Sequence, residues 1–390
     1  MKRTGLLALI LAFGLLAAAC SSSDDTTTTT AAAAAPQATT TTAAPAATTT
    51  TTEDPMAAWP ETIVFGFIPS ERQETLSDTV QPYMDFLSET LGINVEGVIT
   101  ADYNGLVVAM GAGQADLGAF GPFGWVQAEA QYPTLELLMQ SIRFGAKVYH
   151  GQWFTNDPSI CEEGTLQSGT ALVGQAEAEA MGIADAGLVN QVPYFDAVAL
   201  EVGVAFGDNG KEPEVLEDGT PVDAATSCIA GLENVVGKNV SFTSPTSTSG
   251  GVFPQLQLFN EGIDIENDIE YSYLVSHTDS VSAVYNGDFD IGLSFDDARR
   301  GIRKDSPDVG SKLIVFNITE DIPNDIVAVR GELPDDLKQA IFDATKAYLD
   351  TEEGELIFDE IYGWTDIQEV VASDFDVVRE AAEKLGVTES

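Results

Sequence analysis

Short apolar runs alternate with amphipathic stretches along the chain from Trp59 onward. Residues 63–68 have the length and continuous hydrophobicity of a buried strand, and residues 76–91 have helical periodicity that ends at Gly92. Units of a strand followed by a helix then recur toward the C-terminus. The pattern therefore predicts an α/β fold with mainly parallel sheets.

An internal repeat is visible in this pattern. Residues 107–119 (VVAMGAGQADLGA) align without a gap with residues 281–293 (VSAVYNGDFDIGL), and each copy places an aspartate, Asp116 or Asp290, just before a strand. A chance match is the alternative, because helix-turn-strand units are common in α/β folds. The repeat predicts two similar lobes, which typically bind a ligand in the crevice between them.

The N-terminus has the features of an export signal. Residues 1–20 begin with two basic residues, continue as an apolar run and end with small residues before Cys20, which resembles a bacterial lipobox. We expect a signal peptide here and acylation of Cys20; the alternative is a free cysteine on an ordinary secreted chain. Residues 21–56 are nearly all Ser, Thr, Ala and Pro, and they predict a disordered tether.

Two cysteines remain after Cys20. Cys161 and Cys228 are expected to form a disulfide, because an exported chain folds in an oxidising compartment. A metal site is the weaker alternative, since the cysteines and the two histidines show no ligand spacing. The sequence thus predicts neither a metal nor a cofactor. Residues 162–229, rich in Ala, Gly and Glu, interrupt the strand-helix pattern and are interpreted as an insertion.

The chain is strongly acidic, with a net charge of −45 from 62 acidic and 17 basic residues. This charge argues against nucleic acid or an anionic membrane surface as a partner. An anionic ligand would have to be held by neutral donors, such as the free N–H groups at the start of a helix.

A run of hydroxyl side chains provides such donors. Ser247, Thr248 and Ser249 follow a strand and precede an apolar helix, where hydroxyls and free amides together suit an oxyanion. The alternative is simple capping of the helix. His277 also precedes a helix and could donate to an anion. The chain has no nucleophile elbow, P-loop or dinucleotide fingerprint, so we expect a binding protein and not an enzyme.

Several motifs, in this order, resemble those of the phosphonate-, phosphite- and phosphate-binding proteins of ABC importers. They are FGFIPSE, ADYNGLVVAMGAGQADLGAFGPFGWV, GKNVSFTSPTSTSGG, SHTDSVSAVYNGDFDIGLSFDD and IPNDIVAVRGELP. The resemblance spans about residues 62–385, apart from the insertion. It implies the two-lobed type II periplasmic-binding-protein fold, with lobe one formed by residues 57–146 and 298–390 and lobe two by residues 147–297.

The resemblance also implies a set of ligand-binding residues. Phosphorus oxygens would be held by the hydroxyl turn and a histidine, two tyrosines would close over the ligand, and acids would hold an aminoalkyl tail. The corresponding positions are Ser247, Thr248, Ser249 and His277; Tyr103 and Tyr149; and Asp325 with Asp297 or its neighbour Asp296. Asp297 stands where the family has Glu, which weakens the case for an amine ligand.

The function implied is capture of a small phosphorus oxyanion and its delivery to an ABC permease. The chain would act as a monomer outside the bacterial cell membrane, attached to its outer face only by the lipid anchor. Three alternatives remain: an oxyanion sensor or adaptor, a binding protein for a sulfonate or pyrimidine, and an enzyme such as a phosphatase.

Overall fold

The computed structural model describes residues 59–193 and 225–387. The predicted signal peptide, tether and Cys20 lie outside these residues, as does the centre of the predicted insertion. The strands are β1 (Thr62–Phe67), β2 (Asn94–Ile99), β3 (Leu117–Phe120), β4 (Leu135–Ile142), β5 (Val148–Tyr149), β6 (Gly151–Thr155), β7 (Gln167–Ser168), β8 (Thr170–Val173), β9 (Asn190–Pro193), β10 (Thr226–Ser227), β11 (Asn239–Phe242), β12 (Glu270–Tyr273), β13 (Ile291–Phe295), β14 (Ile314–Ile318), β15 (Ile322–Pro323), β16 (Ile326–Arg330) and β17 (Asp366–Gln368). The α-helices are α1 (Gln73–Leu91), α2 (Tyr103–Gly111), α3 (Pro122–Gln131), α4 (Gln175–Ala180), α5 (Phe253–Asn260), α6 (His277–Asn286), α7 (Val309–Lys312), α8 (Asp335–Leu349), α9 (Glu352–Tyr362) and α10 (Asp376–Leu385).

The strands form two main sheets, one in each lobe. The first has six strands in the order β17-β4-β16-β3-β1-β2, and the second has seven in the order β12-β11-β13-β6-β14-β10-β7. Each sheet combines parallel pairs, such as β1 with β2 and β11 with β12, with antiparallel pairs made by the strands next to the crossovers. Helices flank both sheets, so the predicted two-lobed α/β class is confirmed.

The internal repeat occupies equivalent places in the two lobes. In the first copy the Asp116 carboxylate accepts a hydrogen bond from the Val64 N–H at 2.9 Å, and in the second the Asp290 carboxylate accepts one from the Asn239 N–H at 2.9 Å. Each aspartate therefore fixes the start of its strand to a neighbouring strand. Gly287 ends α6 with φ of 83°, a left-handed conformation that favours glycine.

The chain crosses between the lobes twice. The first crossover runs from β4 to β6 and the second from β14 to β16, and their short strands β5 and β15 pair antiparallel. The predicted return to lobe one at residue 298 is wrong, because β14 (314–318) lies in the second sheet between β6 and β10. The second crossover is instead at about residues 319–325, where the chain leaves that sheet.

The predicted insertion is partly integrated into lobe two. Strands β7 and β10 extend the edge of the seven-stranded sheet, and β8 pairs with β9 in a separate hairpin. A disulfide joins Cys161 to Cys228, which are 67 residues apart, so the insertion is closed at its base. Within the described ranges, no helix combines the length and the hydrophobicity that crossing a membrane requires.

Candidate functional site

The lobes enclose a small cavity of about 30 Å³. A single water needs roughly 10–15 Å³ on this measure, so the space in this structure suits a compact group. Seven of the nine residues predicted to bind a ligand line it: Tyr103, Tyr149, Ser247, Thr248, Ser249, His277 and Asp325. Ser70, Arg143 and Tyr362 also line it, and they were missed in the sequence.

The hydroxyl turn lies at the start of a helix, as expected. Residues Thr248–Val252 form a turn of π-helix that leads into α5, and Ser247 caps it by accepting a hydrogen bond from the Gly250 N–H at 3.2 Å. Glycines are required here: a Cβ on Gly250 would lie 2.1 Å from Thr243 Oγ1. The turn therefore acts both as a helix cap and as a set of hydroxyls facing the cavity.

His277 is a neutral hydrogen-bond donor to the cavity. Its Nδ1 accepts a hydrogen bond from the Phe295 N–H at 3.2 Å, and because a backbone amide can only donate, the ring proton is on Nε2. Burial, and then the charge of Arg143, lower the pKa of His277 to about 3. Nε2 lies 3.4 Å from the Tyr103 hydroxyl and 3.5 Å from Ser247 Oγ.

The two tyrosines approach the cavity from different elements. Tyr103 is the first residue of α2, where the Asp102 side chain caps the helix by accepting from the Gly105 N–H at 2.7 Å. Tyr149 lies in β5, on the first crossover. Burial raises the pKa of both phenols, so each retains its proton and can donate to an oxyanion.

Arg143 brings a positive charge to this otherwise neutral set of donors. Only 3% of the residue is exposed, and its guanidinium carbon lies 5.0 Å from the Tyr149 ring centre and 4.7 Å from that of Phe295. Among the residues that the structure describes, no carboxylate lies within ion-pair distance of it. A buried cation held by two aromatic faces and lining a cavity is suited to an anionic ligand.

Two further polar groups face the same space. Ser70 Oγ is buried and has no hydrogen-bond partner among the described residues, so it is available to a ligand. Asp325 accepts a hydrogen bond from the Trp364 indole at 3.3 Å, and burial raises the pKa of its carboxyl while Arg143 opposes that effect. The signal that could have identified Ser70 is its place in the FGFIPSE motif, between β1 and α1.

Neither Asp296 nor Asp297 lines the cavity, contrary to the expectation from sequence. The Asp297 carboxylate is bound by the Arg299 guanidinium and accepts from Gln152 Nε2 at 3.0 Å. Asp296 Oδ2 lies 3.1 Å from His150 Nδ1. Both carboxylates are therefore used inside lobe two, where a buried charge requires a partner.

The cleft is closed in this structure. The Phe123 N–H of α3 donates to Thr248 Oγ1 at 2.9 Å, and the His277 N–H donates to the Ser70 carbonyl at 2.9 Å. At the rim, Arg72 Nε and Asp279 Oδ1 form an ion pair at 3.2 Å. These contacts join the lobes directly, and Ser70, Thr248 and His277 also line the cavity.

Two lobes joined by paired crossovers, with a small polar cavity between them, define a solute-binding protein. Residues 65–375 match the family model for the periplasmic substrate-binding protein of phosphonate ABC transporters, and the chain belongs to this family. It is 28% identical over 245 residues to the phosphate-import protein PhnD of Mycolicibacterium smegmatis, an alignment that covers 61% of this chain and 56% of that protein.

Solved structures show the same fold. A binding-protein component of a phosphonate ABC transporter from Pseudomonas aeruginosa is 18% identical with a TM-score of 0.60, over 85% of this chain and 88% of that one. PhnD1 from Prochlorococcus marinus, solved in complex with methylphosphonate, is 17% identical with a TM-score of 0.60, over 86% of this chain and 100% of that one.

Proposed function

We propose that this chain captures phosphate, phosphite or a small phosphonate between its lobes and delivers it to the permease of an ABC importer. The observation that carries the proposal is the convergence of uncharged donors and one buried cation on a single small cavity. A ligand that bridges the lobes would stabilise the closed state through contacts that the open state lacks, and the permease would bind that closed shape. Binding, and not a reaction, is what these groups support.

Asp325 favours a phosphorus oxyanion over a sulfur one. Its carboxylate shares the cavity with the donors, and it would repel an anion that cannot donate a hydrogen bond. A phosphate or phosphonate monoanion carries an O–H that can donate to Asp325, whereas sulfate and sulfonates are fully ionised at neutral pH. The ligands named for the two relatives, phosphate and methylphosphonate, agree with this preference.

A compact ligand is favoured over one with an amine tail. Because Asp296 and Asp297 are paired with His150 and Arg299, Asp325 is the only one of the predicted acids at the cavity. Arg143 would also repel an ammonium group there. We therefore expect phosphate, phosphite and methylphosphonate to bind more tightly than aminoethylphosphonate.

Calorimetric titration of the purified protein, stripped of ligand, with these compounds and with sulfate tests the proposal. The double variant Ser247→Ala, Thr248→Ala should bind the preferred ligand at least about tenfold more weakly, because hydrogen bonds to a charged group are lost. Thr246→Ala is the matched control, since that hydroxyl belongs to the same loop but does not line the cavity. An Asp325→Asn variant should gain affinity for sulfate. Failure of every phosphorus ligand to bind would refute the proposal.

The lipid anchor is part of the same proposal. The mature chain would begin at acylated Cys20, with residues 21–56 as a tether that lets the binding lobes reach the permease. We expect Cys20→Ala to release the protein from the membrane fraction without changing its affinity for the ligand. Retention of this variant with the membranes, in a form shown by mass spectrometry to lack residues 1–19, would exclude Cys20 as the anchor.

A further inference from the structure

A second polar cluster lies outside the ligand cavity, around the other histidine. His150 is fully buried on the first crossover, directly after the cavity residue Tyr149. Its Nδ1 lies 3.1 Å from Asp296 Oδ2, and its Nε2 lies 3.1 Å from Oδ1 of Asp321, which stands on the second crossover. Asp296 also accepts from the His150 backbone N–H at 3.0 Å, so the histidine is held in place by that carboxylate.

The insertion contributes a third acid to this cluster. Glu177, in α4, is 8% exposed, and its buried Oε2 has no hydrogen-bond partner among the described residues. One ligand atom from each of His150, Glu177 and Asp321 lies within 4.8 Å of the other two. A buried carboxylate oxygen without a partner is costly, so this atom calls for a hydrogen-bond donor or a cation that the described residues do not supply.

The three ligand atoms converge on a space that a glycine leaves open. A Cβ added to Gly174 would lie 2.7 Å from Glu177 Oε2, 3.4 Å from Asp321 Oδ1 and 3.5 Å from His150 Nε2. The backbone of Gly174, with φ of −73°, does not itself require glycine. The absence of a side chain here is therefore explained by the space between the three ligands.

We propose that His150, Glu177 and Asp321 bind a divalent transition-metal ion, such as Zn²⁺ or Mn²⁺. One imidazole and two carboxylates are a donor set for such ions, with the remaining positions open to water. Asp296 would act from behind, accepting from the Nδ1–H of His150 and so directing Nε2 toward the metal. A proton on His150 could satisfy Asp296 and Asp321, but it would leave Glu177 Oε2 unpaired.

The ion has a route to the site from solvent. An open groove of about 670 Å³ has Gly174 and Asp321 in its wall, and 46% of the Asp321 side chain is exposed. The groove gives room for water ligands on the solvent side. Because the ligands come from both crossovers and from α4, the ion would fasten the insertion to the segments that connect the lobes. These residues are far apart in sequence, which is why motif spacing predicted no metal.

Calorimetric titration of chelator-treated, purified protein with Zn²⁺ and, separately, Mn²⁺ tests this site. We expect one saturable ion per chain, with affinity reduced at least about tenfold in Glu177→Gln and Asp321→Asn, since even outer-shell changes cost about 10–100-fold. Gly174→Ala should also weaken binding, because its methyl group fills the site without removing a ligand. Glu179→Gln, an equal change of charge at an exposed position of the same helix, should bind like the unaltered protein.

X-ray absorption on the zinc-loaded protein supplies a readout that leaves all three proposed ligands unchanged. Because the chain has two histidines, an imidazole ligand that persists in His277→Asn must come from His150. Loss of the imidazole signal in that variant would overturn the proposal. Equal affinities for the Glu177→Gln and Glu179→Gln proteins, or weak binding of many ions per chain, would also overturn it and assign the ions to the acidic surface.

Discussion

Replacing Arg143 with methionine should separate ligand binding from stability. The substitution keeps an unbranched apolar side chain between the rings of Tyr149 and Phe295 and removes the cavity's positive charge. If the guanidinium is there for an anion, affinity for phosphate or methylphosphonate falls sharply. If it is there for packing, the protein loses stability instead.

The size of the effect follows from the geometry. A unit cation and a unit anion about 4 Å apart attract by about 4 kcal/mol at an effective dielectric constant of about 20. Asp325 lies close enough to Arg143 for the arginine charge to lower the pKa of its carboxyl. Its own negative charge would repel the anion and so offset part of that attraction. We therefore expect a loss of about 2–4 kcal/mol in binding free energy, or about 30- to 1,000-fold in Kd.

Stability without ligand should respond differently. The variant loses two cation–π contacts, but it also loses a buried charge that has no carboxylate within ion-pair distance among the described residues. These changes have opposite signs, so the free energy of unfolding should change by no more than about 1 kcal/mol.

Titration calorimetry and denaturant unfolding of the same preparations measure the two quantities. Lys147→Met is the matched control, because Lys147 carries the same charge on the same segment but is exposed and lines the outer groove. Arg143→Met with unchanged affinity, or with the same small loss as the control, would refute the assignment of Arg143 to the ligand. A loss of stability larger than the loss of binding would show that the residue is structural.

Three further predictions concern stability. The double variant Cys161→Ser, Cys228→Ser should lose about 4 kcal/mol of unfolding free energy by the loop-entropy model, since the bridge closes 67 residues; a loss under about 1 kcal/mol in urea would contradict that model. The pKa of His277 is about 3 in the folded protein against 6.5 ordinarily, so protonation favours the unfolded state below pH 6.5. The free energy of unfolding should therefore fall by up to about 1.4 kcal/mol per pH unit below pH 6.5. His277→Asn should make this fall shallower in unfolding experiments repeated over a series of pH values. Burial raises the pKa of Glu71 from 4.5 to about 6, despite its hydrogen bond from Thr278. Up to about 2 kcal/mol of unfolding free energy that is present below pH 4.5 is therefore lost as the pH rises through 6. Glu71→Gln should be more stable than the unaltered protein at pH 8, and an equal or lower unfolding free energy there would contradict the sign of this effect.

The sequence was most informative where a local pattern decides the structure. The helix predicted at 76–91 is the core of α1, and it ends at Gly92 in the left-handed conformation, as the pattern required. The internal repeat was visible because both lobes use an aspartate in the same way to fix a strand. Ser247 and His277 could be placed because each stands at the start of a helix, which is a position that sequence marks well.

The errors arose where long-range contacts decide. Asp297 follows a strand at the expected place, but Gln152, 145 residues away, and the buried Arg299 bind its carboxylate inside the second lobe. The lobe boundary was misplaced for a similar reason: β14 is an apolar strand that would suit either sheet, and its pairing with β6 and β10 assigns it to the second. Neither the contacts of the Asp297 carboxylate nor the strand pairing of β14 can be predicted from the local sequence.

Arg143 was missed because its significance depends on where the crossover carries it. In a chain with 17 basic residues, an arginine just after a strand is unremarkable until the fold buries it between two rings. Its position also resolves the difficulty that a net charge of −45 poses for an anion-binding protein. Surface acids are screened over roughly 10 Å, whereas the donors of the hydroxyl turn, His277 and Arg143 contact the cavity directly. The local set of donors, and not the net charge, therefore determines which ligand this cavity can hold.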